Sequence, residues 1–340
     1  MKFDFIIGNP PYQEETNGAS TSDKPLYDRF MDSVYKVGDK VELITPARFL
    51  FEAGATPAAW NRKMLDDEHF KVLFYEKESK NIFSNTSIVG GVAITYRDSE
   101  TVFGKIGTFT AFQELNTILR KVIYFPEFEG LASIIYTQNK FDLDVLNREI
   151  PSLNRTDKRL ESNIFQLKIF TKEQISPNDI KVIGLSGAKR EYRYVNKKYI
   201  DVEGSVNLYK YKVLISKSNG ASGTLGGMPA RMITVPFLAE PSLGYTRTFI
   251  GIGAFNTEVE AKAALKYIKC KFCRAMLGVL KVTQDNNPDK WKYVPLQDFT
   301  HSSDIDWSKS IKEIDAQLYA KYGLDENEIN FIESHVKEME

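Results

Sequence analysis

An α/β fold follows from three features of the first hundred residues. Short apolar runs end at proline or glycine, segments between them carry apolar residues at helical spacing, and the two kinds alternate. Alternation of this sort predicts a parallel sheet with helical crossovers. "FDFIIG", residues 3–8, reads as the first strand. Asn9-Pro10-Pro11-Tyr12 stops it, because proline cannot donate to a sheet ladder. "PLYDRFMDSVYKV" reads as a helix with Leu26, Phe30 and Val34 at fourfold spacing. "KVELITP" is a strand stopped by Pro46, "ATPAAWNRKMLDDE" a helix, and "FKVLFYE" and "IVGGVAITYRD" two further strands. Ligands of such sheets sit beyond the carboxyl ends of the strands, and the Asn9–Tyr12 turn occupies one of those ends.

Beyond about Thr101 the character changes to an α+β pattern. "YKYKVLIS", "RMITVPFLA" and "RTFIGIGAF" are short β-rich runs with turn residues between them. "SKSNGASGTLGG" is a Gly-rich loop that lacks the Lys-Ser/Thr ending of a phosphate-binding loop. Thr257 with Glu260 makes a capping box. The apolar stripe Ala261, Ala264, Leu265, Ile268 and Phe272 follows, with Lys262, Lys266 and Lys269 on another face. The tail holds two helical patterns broken at Gly323, the second capped by Asp325 with Glu328.

With 340 residues the chain has room for two domains. Its 45 basic and 45 acidic residues balance, but not locally. Residues 207–300 hold thirteen Lys and Arg against six Asp and Glu, and residues 301–340 hold four against ten. A basic block before an acidic tail is an asymmetry that suits a nucleic-acid partner for the block. No apolar run approaches the ~20 residues of a membrane span. The start shows no secretory leader, so a cytoplasmic location is expected. Cys270 and Cys273 form a lone C-x-x-C, and His69, His301 and His335 are scattered. They read as ordinary residues and no metal site is expected. "YEKESK" reads as solvated surface.

The chemistry that suits the first turn is methyl transfer to an exocyclic amine. Adenine's amino nitrogen is a poor nucleophile because its lone pair is delocalised into the ring. Two acceptors on its two N–H groups pull it toward a tetrahedral shape and aim the lone pair at an incoming methyl. The Asn9 side-chain oxygen and the Pro10 carbonyl can serve, with Pro10 and Pro11 holding the backbone rigid. Tyr12 offers a flat face for stacking. The base must first leave the duplex.

"GNPPY", Gly8 to Tyr12, resembles the catalytic motif of N6-adenine DNA methyltransferases, commonly Asp, Asn or Ser before Pro-Pro-Tyr. Glutamine methyltransferases of release factors share the turn, so it does not fix the substrate. "PLYDRFMDSVYKVGDKVELITPARFL" is similar to the helix–strand unit that follows the motif in restriction–modification adenine methyltransferases. "NIFSNTSIVGGVAITYRD" resembles their next motif, in which an aromatic packs on the flipped base. Phe83 is the matching aromatic, Ser84 stands where the family has proline, and Phe83 reads equally as a core residue. The regions from Thr246 to Phe299 and from Asp304 to Glu333 look like the target-recognition domain and helical tail of fused, type IIG-like enzymes.

The resemblance implies a partial Rossmann-like methyltransferase sheet in 1–105, a DNA target-recognition domain in 106–300 and a helical tail in 301–340. It implies S-adenosylmethionine as donor and double-stranded DNA as substrate. The DNA contacts expected are Lys217, Arg231, Lys262, Lys266 and Lys269, with sequence read by the stretch from Lys217 to Arg231; Lys262, Lys266 and Lys269 read equally as a solvated helix face. The family places its cofactor turn before the catalytic turn, yet only eight residues precede Asn9. An open sheet edge is therefore expected, covered by an N-terminal partner chain, a second copy or a rearranged segment. Two other readings stay open: a DNA-recognition module without activity, and methylation of protein or RNA.

Overall fold

A computed structural model describes residues 2–13, 24–53, 55–84, 88, 90–186, 189–218 and 224–339. The chain divides into two compact units, Met1–Asn116 and Thr117–Glu340.

The first unit is built on a four-stranded sheet. Its elements are β1 (Phe3–Gly8), α1 (Tyr27–Val34), β2 (Gly38–Pro46), α2 (Ala58–Asp66), β3 (Phe70–Glu76) and β4 (Val92–Asp98). The strand order is β1-β2-β4-β3. β1 runs parallel to β2, with Phe3 opposite Gly38 and Gly8 opposite Leu43. β4 lies antiparallel to both β2 and β3, which corrects the expectation of an all-parallel sheet. A parallel return needs a long crossover, usually a helix. Among the described residues, only a 3-10 turn at Ser79–Asn81 lies between β3 and β4. Two glycines then reverse the chain. Gly91 has φ +81°, and a Cβ there would sit 2.4 Å from the Glu76 carbonyl oxygen.

One face of this sheet is the core. Ile6, Val41, Leu43, Phe70 and Ala93 pack there with Met31, Trp60 and Met64 from the two helices. Residues alternate across a strand, so Phe3, Phe5 and Ile7 point to the other face. They are 47, 52 and 71 % exposed. On α1 the buried residues are Tyr27, Asp28 and Met31, while Phe30 is exposed. This corrects the expected stripe at Phe30, while Val34 packs against the core as expected. Two stripes one residue apart satisfy the same spacing, and the aromatic cluster of Tyr27 with Phe49 and Trp60 selects between them.

The division falls within α3 (Gln113–Ile123), and the second unit goes on with β5 (Ile135–Tyr136), α4 (Leu143–Glu149), β6 (Asp179–Ser186) and β7 (Lys189–Asn196). β8 (Tyr211–Ser216), β9 (Phe237–Ala239), β10 (Leu243–Tyr245) and β11 (Phe249–Phe255) follow. They form two sheets, ordered β10-β6-β7 and β5-β11-β8-β9. The helices α5 (Glu258–Lys269), α6 (Lys271–Leu277), α7 (Ile311–Lys321) and α8 (Glu326–His335) complete the unit. The capping boxes at Thr257/Glu260 and Asp325/Glu328 form as expected, and a third caps α7 at Ser310/Glu313. The stripe that the sequence carries on to Phe272 is interrupted, because Cys270 adopts ψ 144° and starts a new helix. The Asp315 carboxylate on α7 accepts the Lys271 and Phe272 N–H groups at 2.9 Å each, which satisfies two donors at the start of α6. Burial outweighs those bonds and raises the Asp315 pKa to about 6. Cys270 and Cys273 are buried thiols, their pKa values pushed up by burial. Among the described residues no His, Cys, Asp and Glu group is arranged to hold a metal, and no helix is long and apolar enough to cross a membrane.

Candidate active-site turn and nucleic-acid surface

The Asn9–Tyr12 turn leaves the carboxyl end of β1, where Gly8 pairs with Leu43. Pro10 is buried, Asn9 and Pro11 are exposed, and Tyr12 is partly buried. The turn is tied at its far side. The Leu26 N–H donates to the Tyr12 carbonyl at 3.1 Å, and Gln13 bridges to Pro25, so the start of α1 anchors it. The Tyr12 hydroxyl lies 3.5 Å from the Ile44 carbonyl, a long contact, and burial pushes its pKa up to about 12. Among the described residues nothing hydrogen-bonds the Asn9 side chain or the Pro10 carbonyl. Both acceptors are thus uncommitted among the described residues, the Asn9 side chain on an exposed residue and the carbonyl on the buried Pro10. Such a pair can receive both N–H groups of one amine.

The ends of the other strands gather on the same side of the sheet. Val92 at the start of β4 faces both Pro46 and Glu76, the last residues of β2 and β3. Phe83 lies on the segment leaving β3. Its N–H donates to the Ser79 carbonyl at 2.8 Å, and its side chain is partly buried. β1 and β3 are the two edge strands, three spacings or roughly 14 Å apart. Tyr12 follows the carboxyl end of one edge strand and Phe83 that of the other, with β2 and β4 between the two edges.

Two features of that end escape sequence reading. Arg48, exposed just past Pro46, sits so close to Gly90 that a Cβ there would meet its Cγ at 2.5 Å. Phe51, Tyr75 and Phe109 form a mutual edge-on cluster with centroids 5.3–5.7 Å apart, and the Tyr75 hydroxyl donates to the Gly90 carbonyl. The only sequence signal for Arg48 is its place after a strand-ending proline. The aromatic trio joins three distant segments and has none.

In the second unit, part of the positive charge counted along the chain is spent inside the fold. Lys266 donates to the Trp307, Ser308 and Lys309 carbonyls at 2.8, 3.2 and 2.8 Å. Lys262 pairs with Glu258 at 2.9 Å on the exposed side of α5. Lys269 is partly buried, and its carbonyl accepts the Arg274 guanidinium. Arg274 itself is fully buried and also reaches the Arg231 carbonyl. Lys212 is buried against the Leu208, Lys210 and Glu240 carbonyls, its pKa lowered to about 7 by burial. Lys271 pairs with Glu333. The Arg231 residue is exposed and Lys217 partly so. Between them, residues 219–223 of the expected reading loop lie outside the described residues, as do 85–87 and 89 of the Phe83 motif.

Residues 1–83 match the family model of the Eco57I restriction-modification methylase. No curated protein matches the sequence. Among solved structures, the type IIG restriction endonuclease BpuSI aligns over 84 % of this chain with 10 % identity and a TM-score of 0.32. The aligned region is 43 % of that enzyme, so the chain spans less than half of its length.

Proposed function

We propose, from the match of residues 1–83 to a restriction-modification methylase family, that this chain carries the catalytic turn of an adenine-specific DNA methyltransferase. The observation that carries the reading is the pair of uncommitted acceptors, the Asn9 amide and the Pro10 carbonyl, on a turn stiffened by two prolines and anchored by α1. Together they bind the two N–H groups of adenine N6 and direct its lone pair outward. The proton on the methylated nitrogen passes to solvent water, because neither amide oxygen is basic enough to keep it. Tyr12 stacks on the extruded base, and its hydroxyl, turned toward β2, takes no part. Phe83 is the proposed second stacking partner. The base has to be flipped out to reach the turn.

S-adenosylmethionine is the donor that this family resemblance implies; it supplies the methyl group. Among the described residues no Gly-rich strand-to-helix turn stands beside Asn9, so these residues do not form a cofactor cradle. The backbone groups of Phe3 point toward β2, its N–H reaching the Val37 carbonyl at 2.7 Å. Those of Asp4, Ile6 and Gly8 therefore face outward along an open edge, next to the bare Phe3, Phe5 and Ile7. A polypeptide segment that adds a strand along this edge and brings the cofactor turn completes the proposed enzyme. A recognition module without activity is the second reading.

Asn9→Ala in the complete assembly separates the two. It should lower methyl transfer on the order of 10²–10³-fold, as loss of one oriented catalytic hydrogen bond does elsewhere, with DNA affinity nearly unchanged. Methylation within a few-fold of the parent removes Asn9 from the role. A parent assembly that binds DNA and transfers no methyl group leaves the recognition-module reading. Calorimetric titration of the chain alone with S-adenosylmethionine should show weak binding or none, and a micromolar dissociation constant contradicts the placement of the cofactor site.

A further inference from the structure

The β6–β7 hairpin carries a second candidate site, far along the chain from the catalytic turn. Its two faces differ. Ile180, Val182 and Val195 enter a core cluster. The opposite face has Lys181 beside Tyr194 and Ile183 beside Tyr192. There, between the hairpin and the β9–β10 segment, opens a cleft of about 430 Å³. Tyr192, Tyr194 and Phe237 supply its flat walls, and Lys181, Asp179 and Glu240 its charges.

The charges sort by whether they are already used. Asp179 accepts the Ile175 and Ser176 N–H groups and the Asn196 amide, so it belongs to the hairpin's own structure. Lys181 has no ion pair among the described residues, and its ammonium stands 4.5 Å from the Tyr192 ring centroid. The exposed Glu240 side chain also has no partner among the described residues. Tyr192 is 42 % exposed, a large aromatic face left in solvent. Ser242, in the wall, is held at φ +69°, a conformation that L side chains rarely adopt.

We infer that this cleft seats one nucleotide. Its base lies against the aromatic walls, its phosphate meets Lys181, and an exocyclic amine on the base donates to Glu240. The chemistry is specific in two ways. An aromatic ring whose only cation partner among the described residues is a lysine without an ion pair fits a base joined to a phosphate, with the ammonium passing from the Tyr192 ring to the phosphate. A free carboxylate accepts from the amino group of cytosine or adenine and repels the carbonyl of thymine at that position. The inference rests on the DNA reading above only for the source of the nucleotide, a strand of DNA rather than a free mononucleotide.

The test uses the full chain with fluorescein-labelled oligo(dC) and oligo(dT) 12-mers, followed by anisotropy, and with free dCMP followed by calorimetry. Oligo(dC) should bind more tightly than oligo(dT). Tyr192→Ala should weaken oligo(dC) binding by roughly 5- to 150-fold, the range for loss of one stacked base, and Tyr192→Phe should retain it. Lys181→Gln should flatten the slope of log affinity against log salt by about 0.7. Glu240→Gln should erase the preference for dC. Saturation by dCMP at the affinity of the 12-mer identifies a mononucleotide site and overturns the assignment to DNA. Parent-like oligo(dC) binding by Tyr192→Ala and Lys181→Gln, with circular dichroism unchanged, overturns the cleft altogether. An assembly that binds DNA through this cleft but never methylates sinks the methyltransferase reading and leaves the cleft standing. Normal methylation and DNA affinity in the cleft variants do the reverse.

Discussion

The Asn9–Tyr12 turn and the lysine face of α5 are equally plain in the sequence, and the fold treats them in opposite ways. The turn keeps its acceptors uncommitted, with Asn9 exposed. On α5, Lys262 is paired with Glu258 and Lys266 is surrounded by three carbonyls. The difference lies in reach. A turn of two prolines dictates its own backbone, so what it presents is settled locally. A lysine carries its charge on a long stem, and whatever packs within that reach decides whether the charge faces a ligand or a helix end.

The sharpest way to break the comparison is at Tyr12. Tyr12→Ala should lower methyl transfer by roughly 5- to 150-fold, since each base–aromatic stack is worth ~1–3 kcal/mol. Tyr12→Phe should be mild, because the hydroxyl makes only a long contact. Equal losses in the two variants, read from initial rates of methylation, would mean that the hydroxyl and not the ring matters.

Lys266→Ala should destabilise the chain by about 1–3 kcal/mol, leaving three carbonyls without their charged donor. Lys262→Gln should cost under ~0.5 kcal/mol, as expected of an exposed helical pair. If all three lysines of α5 touched phosphates, replacing them with Gln would flatten the salt slope by roughly 2–3 units. With Lys266 committed to carbonyls, the slope should change by less than 2. Urea denaturation and salt-dependent DNA binding measure the two sides. A stable triple variant with a slope change of 2–3 would make α5 a DNA face after all.

Asp315 gives a pH signature to the packing around α6. Its pKa is raised from an ordinary carboxylate value to about 6, with burial the largest cause. Between about pH 4 and 6 the folded chain therefore binds this proton more readily than the unfolded chain. The charged form costs stability above pH 6, and the cost is relieved as pH falls. Relative to Asp315→Asn, the parent should gain on the order of 2–3 kcal/mol from pH 7 to pH 4. The urea midpoints of parent and variant, compared across that window, test this. A constant difference would show that the two backbone N–H bonds fully offset burial, and a parent that loses stability toward pH 4 would show that they outweigh it.

The smallest expected effect on the isolated chain is Ile7→Lys. Ile7 is largely exposed, so stability should move by no more than ~0.5 kcal/mol. Binding of the proposed strand-adding segment should nevertheless be lost, as measured by analytical ultracentrifugation of the mixture. A large drop in the melting temperature of the chain alone would show that Ile7 is covered from within.

The sequence by itself determined features whose causes lie within a few residues. β1 ends where two prolines remove its donors, the caps of α5 and α8 form from residues three apart, and Gly323 at φ +61° separates α7 from α8. The backbone of the Asn9–Tyr12 turn belongs to this class. Only the tertiary structure decided the direction of β4, because a strand's sequence is the same whichever way it runs and the Gly90–Gly91 turn takes its meaning from Glu76 and Arg48 packed against it. It also decided between Phe30 and Met31 on α1, which local spacing treats alike until Trp60 and Phe49 stand opposite. The fate of Lys266 was settled the same way, by carbonyls some forty residues along the chain. Spacing and caps act through neighbouring backbone and are legible in order. Burial and charge neutralisation depend on groups that come together only when the chain folds.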